Sequence, residues 1–353
     1  MKKLILLSVA TLAVLCSCTK NEAYDPDLGV DLPILFQAYD FASQTKAGEP
    51  TAFTGENFAV FGYQHAEAWA TAKTQTSATA KPSLLMGDVE VRKSGTSNAW
   101  APVTTYYWPK KDMLTFGAYA PKDKGGASFD FEKGIKFATF SVEPVPGTAN
   151  KVDLLYSDTA SDRTYANSNA SSDEASMSNA DGVYLLFHHA LAKVGVSAKY
   201  NGKRNPGTEA SIKITGIKFA AIDTKGENFD ATGKTWTTSV PATQDMGVSN
   251  VTLSAEEAST LVNDYYVMPQ TLAASTEQIL VSYEITTTFS DGTTKTEVIT
   301  DKAVDFKCTQ IQNWDPNHVY TYALNISAVS DDPITFDPAV APWENGNSET
   351  TIN

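Results

Sequence analysis

"NFAVFGYQ", residues 57–64, reads with a period of two. Phe58, Val60 and Gly62 fall on one face and Ala59, Phe61 and Tyr63 on the other, which is the alternation of a β-strand rather than the 3.6-residue repeat of a helix. The style continues on both sides. "DMLTFGAYAP" (112–121), "KVDLLYS" (151–157), "GVYLLFHHALAKVGVSAKY" (182–200), "SIKITGIKFAAI" (211–222), "DYYVMPQ" (264–270), "QILVSYEITTTF" (278–289), "TEVITDKAVDF" (296–306) and "HVYTYALNISA" (318–328) are rich in β-branched and aromatic residues. Each is bounded by Gly, Pro, Asn or Asp. So many strands with so few helical stretches between them predict an all-β protein built from sandwiches, not a parallel α/β sheet.

Local signals refine this reading. In "ITTTFSDGTTKTEVIT" the pair Asp291-Gly292 supplies the positive φ angles of a hairpin turn. "SAEEASTLV" (254–262) places Ser254 and Glu257 at capping-box spacing and is the best candidate for a short helix. Residues 157–181 form a polar tract with too little apolar surface to fold alone, which predicts a long loop and a domain boundary at its far side, close to Asp181 or Gly182. The chain after the amino-terminal segment is long enough for two domains, each with its own core.

That segment is read as an export signal. Lys2 and Lys3 precede the apolar run 4–15, which is too short to span a bilayer. The run ends in Leu15-Cys16-Ser17-Cys18, which resembles the lipobox of bacterial lipoproteins, with residues 1–17 removed and Cys18 receiving the lipid. Three acyl chains, at about 0.8 kcal/mol per buried methylene, hold a protein on a membrane far better than one. The alternative is a plain secretory signal that leaves Cys18 as an ordinary thiol. Thr19 follows, with no aspartate to retain the protein at the inner membrane, which points to the outer membrane. Cys308 is then the one cysteine left over, so no internal disulfide framework is expected, and it reads as a small strand residue.

The formal charge of −14 argues against nucleic acid and against direct adhesion to an anionic membrane. His188 and His189 are adjacent in a strand and point to opposite faces, so they cannot chelate one ion together. Asp25, Asp27 and Asp31 around Gly29 faintly suggest a calcium loop but lack a closing glutamate, and a solvated tether is the simpler reading. The chain shows no phosphate loop and no nucleophile elbow, and no cofactor is expected. Trp100, Tyr106, Tyr107 and Trp108 form an aromatic cluster that suits either a sandwich core or a surface for stacking sugar rings.

Taken in order, the lipobox at Cys18, "ILFQAYDF" (34–41), "TKAGEPTAFTGENFAVFGY" (45–63), "YYWPKKDMLTFGAYAP" (106–121), "VDLLYS", "LLFHHALAKVGVSAKY", "YYVMPQTL" (265–272), "NWDPNHVYTYALNIS" (313–327) and "ITFDPAVAPW" (334–343) resemble the fimbrillin family, the subunits of type V pili. The resemblance implies two tandem transthyretin-like β-sandwich domains, a lipidated precursor, and a trypsin-like cut behind the first strand. It further implies that the lost strand is replaced by a terminal strand of a neighbouring subunit. Laid on this chain, the expected organisation is a lipidated propeptide 18–46, an amino-terminal domain 47–182, a carboxy-terminal domain 183–328 and a tail 329–353. The expected cut lies between Lys46 and Ala47, and lysine replaces the arginine common in the family. A lysine-tolerant protease, or an uncut anchor subunit, would account for it. The expected partners are other fimbrial subunits and, before processing, the outer membrane.

One echo supports the exchange. "PILF" (33–36) recurs as "PITF" (333–336), so Ile34 and Phe36 could be replaced by Ile334 and Phe336 of another copy. Chance similarity between two apolar strands is the alternative. A monomeric surface lipoprotein that binds glycan is the competing function.

Overall fold

The computed structural model describes residues 31–40, 51–94, 99–142, 152–167 and 182–343. Its first half contains β1 (Phe36–Asp40), β2 (Thr51–Ala52), β3 (Asn57–His65), β4 (Ser83–Lys93), β5 (Ala99–Pro102), β6 (Met113–Ala120), β7 (Ala127–Asp130), β8 (Gly134–Ser141), β9 (Leu155–Ser157), β10 (Ala160–Arg163) and β11 (Val183–His189). Its second half contains β12 (Ala192–Tyr200), β13 (Glu209–Asp230), β14 (Thr237–Asp245), β15 (Val251–Thr252), β16 (Ser259–Val267), β17 (Gln270–Thr271), β18 (Gln278–Thr288), β19 (Thr294–Asp305), β20 (Asn313–Trp314), β21 (His318–Ile326) and β22 (Thr335–Pro342). Helix among the described residues amounts to α1 (Trp69–Ala72) and one 3-10 turn, Tyr165–Asn167. The protein is all-β.

In the first half the pairing path runs β6-β3-β4-β5-β1-β11-β9, and β9 pairs back onto β6, so the hydrogen-bonded path closes on itself. Residues of period two turn Phe58, Val60, Met86, Val91, Trp100, Leu114, Phe116, Leu185 and Phe187 into the enclosed core. Tyr119, on the other face, joins a second cluster with Ile135, Phe137, Leu154, Tyr156, Leu191, Phe229 and Met268, which links the two halves.

The second half packs the sheet β16-β12-β21-β22 against the sheet β19-β18-β13-β8-β7, which also carries β14 and β15. Ile212, Ile214, Phe219, Val281, Tyr283 and Phe306 of one layer meet Val194, Val196, Tyr322 and Leu324 of the other. The 22-residue β13 spans both halves: its beginning pairs with β18 and its end, Lys225–Asp230, pairs with β8.

Several expectations from the sequence need correcting. Ser254 Oγ does accept the amides of Glu256 and Glu257, as a cap would, but no helix follows; Ser259–Val267 is strand β16, because its apolar residues pack against β12. The polar tract is not all loop, since Ala160–Arg163 pairs with β6. The change of sheet falls between His189 and Ala192, not at the Asp181–Gly182 step, because β11 lies beside β1 in the first sheet. Cys308 sits just past the end of β19, half-buried against the second core. The β18–β19 hairpin forms around Gly292 at φ +80°, with Asp291 accepting the Thr293 amide at 2.9 Å.

Candidate strand-exchange site

β1 is a short strand in a demanding place. It pairs in parallel with β11 over five positions, Phe36 opposite Val183 through Asp40 opposite Phe187, and antiparallel with β5 and β2 on its other side. The segment before it is bonded too: Ile34 N–H donates to Tyr106 O at 2.8 Å, Trp108 N–H to Leu32 O at 3.0 Å, and Val183 N–H to Leu35 O at 2.8 Å. Ile34, Phe36 and Ala38 alternate into the core and are fully buried. The Phe36 ring meets Phe116 and Phe58 edge-on at 5.4 and 6.2 Å. On the opposite face Tyr39 stacks on Tyr184 at 5.0 Å. Each of Ile34 and Phe36 stabilises the fold by about 1.5–3 kcal/mol through burial alone.

The wall of this slot has one position that admits no side chain. Gly182 has φ +101°, and a Cβ there would lie 2.3 Å from the carbonyl carbon of Leu35. Backbone therefore meets backbone where the strand enters the slot, and only glycine suits both the angle and the approach.

The carboxy-terminal segment lies at the far edge of the other sheet. The segment that follows "YTYALNIS" pairs antiparallel with β21, from His318 opposite Pro342 to Asn325 opposite Thr335. Ile334 and Phe336 share a face, half-buried against the second core, and Phe336 lies 5.5 Å from Tyr322. The rest of β22 is poorly covered, with Val340 43% exposed. Trp343 N–H donates to Asn317 O, so by alternation the odd-numbered amides of β22 face β21 and the even-numbered positions face the open edge. Pro338 and Pro342 are both even. Their missing donors blunt that edge against pairing with another sheet.

Polar contacts fasten the turn before β22. Lys302 Nζ donates to the carbonyls of Ser330 and Asp332. The Asp332 carboxylate accepts from Ser327 Oγ at 2.8 Å and pairs with Lys203 at 2.5 Å. Lys203, then Ser327, hold the Asp332 carboxyl below the usual carboxylate range.

Other candidates are placed as follows. Trp100 and Trp108 are buried in the first core, Tyr106 packs on it and Tyr107 is exposed, so the aromatic cluster is core rather than a sugar platform. His188 Nε2 meets Asp158 at 2.9 Å and His189 Nδ1 meets Asp153 at 2.8 Å, each histidine with its own carboxylate. Cys18, Lys46, Ala47 and the acidic stretch at Asp25 and Asp27 lie outside the described residues. The parallel pairing of β1, the role of Gly182 and that of Trp343 were not legible in sequence. The one available hint was "ADGV", a glycine directly ahead of a strand.

The model of the fimbrillin-like family matches residues 45–343. The chain belongs to that family. It is accordingly a structural, non-enzymatic protein of the fimbrial type. No curated protein sequence matches it significantly. Among solved structures, this fimbrillin-like chain is similar to a fimbrial protein from Bacteroides vulgatus at 22% identity and TM-score 0.65, over 88% of this chain and 99% of the other. The tip fimbrial protein Mfa3 from Porphyromonas gingivalis aligns at 9% identity and TM-score 0.40, over 88% of this chain and 100% of the other. No helix among the described residues is long and apolar enough to cross a membrane.

Proposed function

We propose that this fimbrillin-like protein is a structural subunit of a type V fimbria, exported as an outer-membrane lipoprotein through Cys18 and polymerised by strand exchange, in support of adhesion. The carrying observation is the position of β1. It closes a hydrogen-bonded ring and fills the core with Ile34, Phe36 and Ala38, yet it is joined to the rest of the chain only through residues 41–50. That connection contains Lys46, the one Lys or Arg between Lys20 and Lys73. A trypsin-like cut between Lys46 and Ala47 would separate β1 and its lipid from everything else. The slot left behind would offer unpaired backbone on β11 and β5, and an aromatic pocket formed by Phe58, Phe116 and Trp100.

The segment 333–336 of a second copy has the alternation to refill it. Ile334 and Phe336 lie on one face with Thr335 between them, as Ile34 and Phe36 do with Leu35 between them, and backbone pairing supplies affinity while the alternate side chains set register. The first experiment is amino-terminal mass spectrometry of surface-shed protein, with detergent-phase partition of Cys18→Ala as its companion. Ala47 as the first residue, and loss of partition in the variant, support the reading. Acylated Cys18 as the only amino terminus would make this an uncut anchor subunit instead.

A further inference from the structure

Trp343 follows the most exposed strand of its sheet, yet it is fully buried. Its indole stacks on His189 with ring centroids 3.9 Å apart and planes 7° from parallel. Lys193 Nζ stands 4.3 Å from the indole centroid, and the Tyr266 ring lies 5.1 Å away. Asp153 holds His189 through Nδ1, and Asn317 takes the Trp343 amide on its carbonyl while its side chain takes the His189 amide. The pocket therefore draws on the loop before β9, the end of β11, the start of β12, the end of β16 and the turn before β21. It straddles the two halves, and the residue that fills it comes from the tail.

We propose that this pocket is a built indole-binding site, and that Trp343 in it is the catch that keeps the carboxy-terminal strand on its own subunit. Stacking and the ammonium–indole contact favour the seated state. The seat is also incomplete: Trp343 Nε1 and His189 Nε2 are both buried and have no hydrogen-bond partner among the described residues. Each such atom costs stability that it would regain in water, so the catch is held and yet releasable, unlike the apolar anchors of the core. With β22 itself little buried, unseating this side chain removes the strand's deepest anchor and leaves it held by its pairing with β21 and by the half-buried Ile334 and Phe336. The consequence for assembly, that the catch sets the rate of tail donation, rests on the exchange reading above.

The test is amide hydrogen exchange of residues 333–342 in the full chain, comparing wild type with Trp343→Ala, Trp343→Phe and Lys193→Met. The expected result is a loss of β22 protection of about tenfold or more in Trp343→Ala and smaller losses in Lys193→Met and Trp343→Phe, with β13 and β18 unchanged. Unchanged β22 protection in Trp343→Ala overturns the proposal, and so does a loss shared equally by β13 and β18, which would make Trp343 ordinary core. If Trp343→Ala fails to fold, Lys193→Met decides the matter in the same way. A loosened β22 in a Lys46-cut chain that still forms no polymer supports the catch and counts against strand donation, so the two ideas fail separately.

Discussion

β1 and β12 hold equivalent positions in the two halves. Each is the first strand of its half, each pairs in parallel with the last central strand, β11 or β21, and each has an antiparallel neighbour on its other side, β5 or β16. Their bonding differs: β12 pairs over eight positions with β21 and is chained at both ends to neighbouring strands, whereas β1 pairs over five with β11. One peptide bond cut behind β1 makes it a separate piece, and no single cut does that to β12. The proposed exchange therefore has a strand to release in the first half and no counterpart in the second. The tail strand sharpens the contrast, because β22 lies on β21 just as β9 lies on β11, but β9 is also paired to β6 while β22 has an open edge.

The largest expected effect compares two phenylalanines of the echoed phrase. Phe36→Ala removes a fully buried ring and should lower the unfolding free energy of the uncut chain by about 3–5 kcal/mol. Phe336→Ala removes a half-buried ring at a sheet edge and should cost less than about 1.5 kcal/mol. Denaturant unfolding of both variants checks this, and equal costs would break the contrast between a core strand and an edge strand. Next, Gly182→Ala should destabilise the uncut chain by about 1–3 kcal/mol, because the new Cβ meets the Leu35 backbone at a φ that side chains avoid. The exchange of β1 and β11 amides should rise first, and a change confined to the second half would show that the slot wall is elsewhere.

The smallest effect is one of pH. The Asp332 carboxyl is lowered by Lys203 and Ser327, so its contribution is complete above the ordinary carboxylate value, about 3.9, and is lost as pH falls from there through the folded value. Amide exchange in the turn before β22 should therefore be insensitive to this group near neutrality and should show a rise below about pH 4 that Asp332→Asn reduces. A rise of equal size in the Asn variant would assign it to other carboxyls.

Much of the fold was legible because period-two burial leaves a strong mark, as in "NFAVFGYQ" and in Ile34 and Phe36. What escaped was non-local. Ser254 makes the hydrogen bonds of a helix cap, but the choice of strand for "STLV" depends on β12, some 60 residues earlier. The placement of β11 in the first sheet depends on β1, about 150 residues before it, and a polar tract in between gives no sign of that pairing. Pro338 and Pro342 each lack a backbone donor, and the structure accommodates them by putting β22 at an edge. Trp343 was read only as the last letter of a family phrase, because its seat is assembled from Asp153, His189, Lys193 and Tyr266.

The proposed function requires that the β1 slot be emptied and then refilled by the tail of another copy. Its most direct test is to cut the purified chain after Lys46 and follow SDS-resistant ladders for cut wild type, uncut wild type and cut Ile334→Asp/Phe336→Asp protein. Strand exchange predicts ladders from the cut wild type alone, with the doubly substituted monomer still folded because both side chains are only half-buried. Ladders from the uncut chain, or polymerisation of the double variant at the wild-type rate, would contradict it.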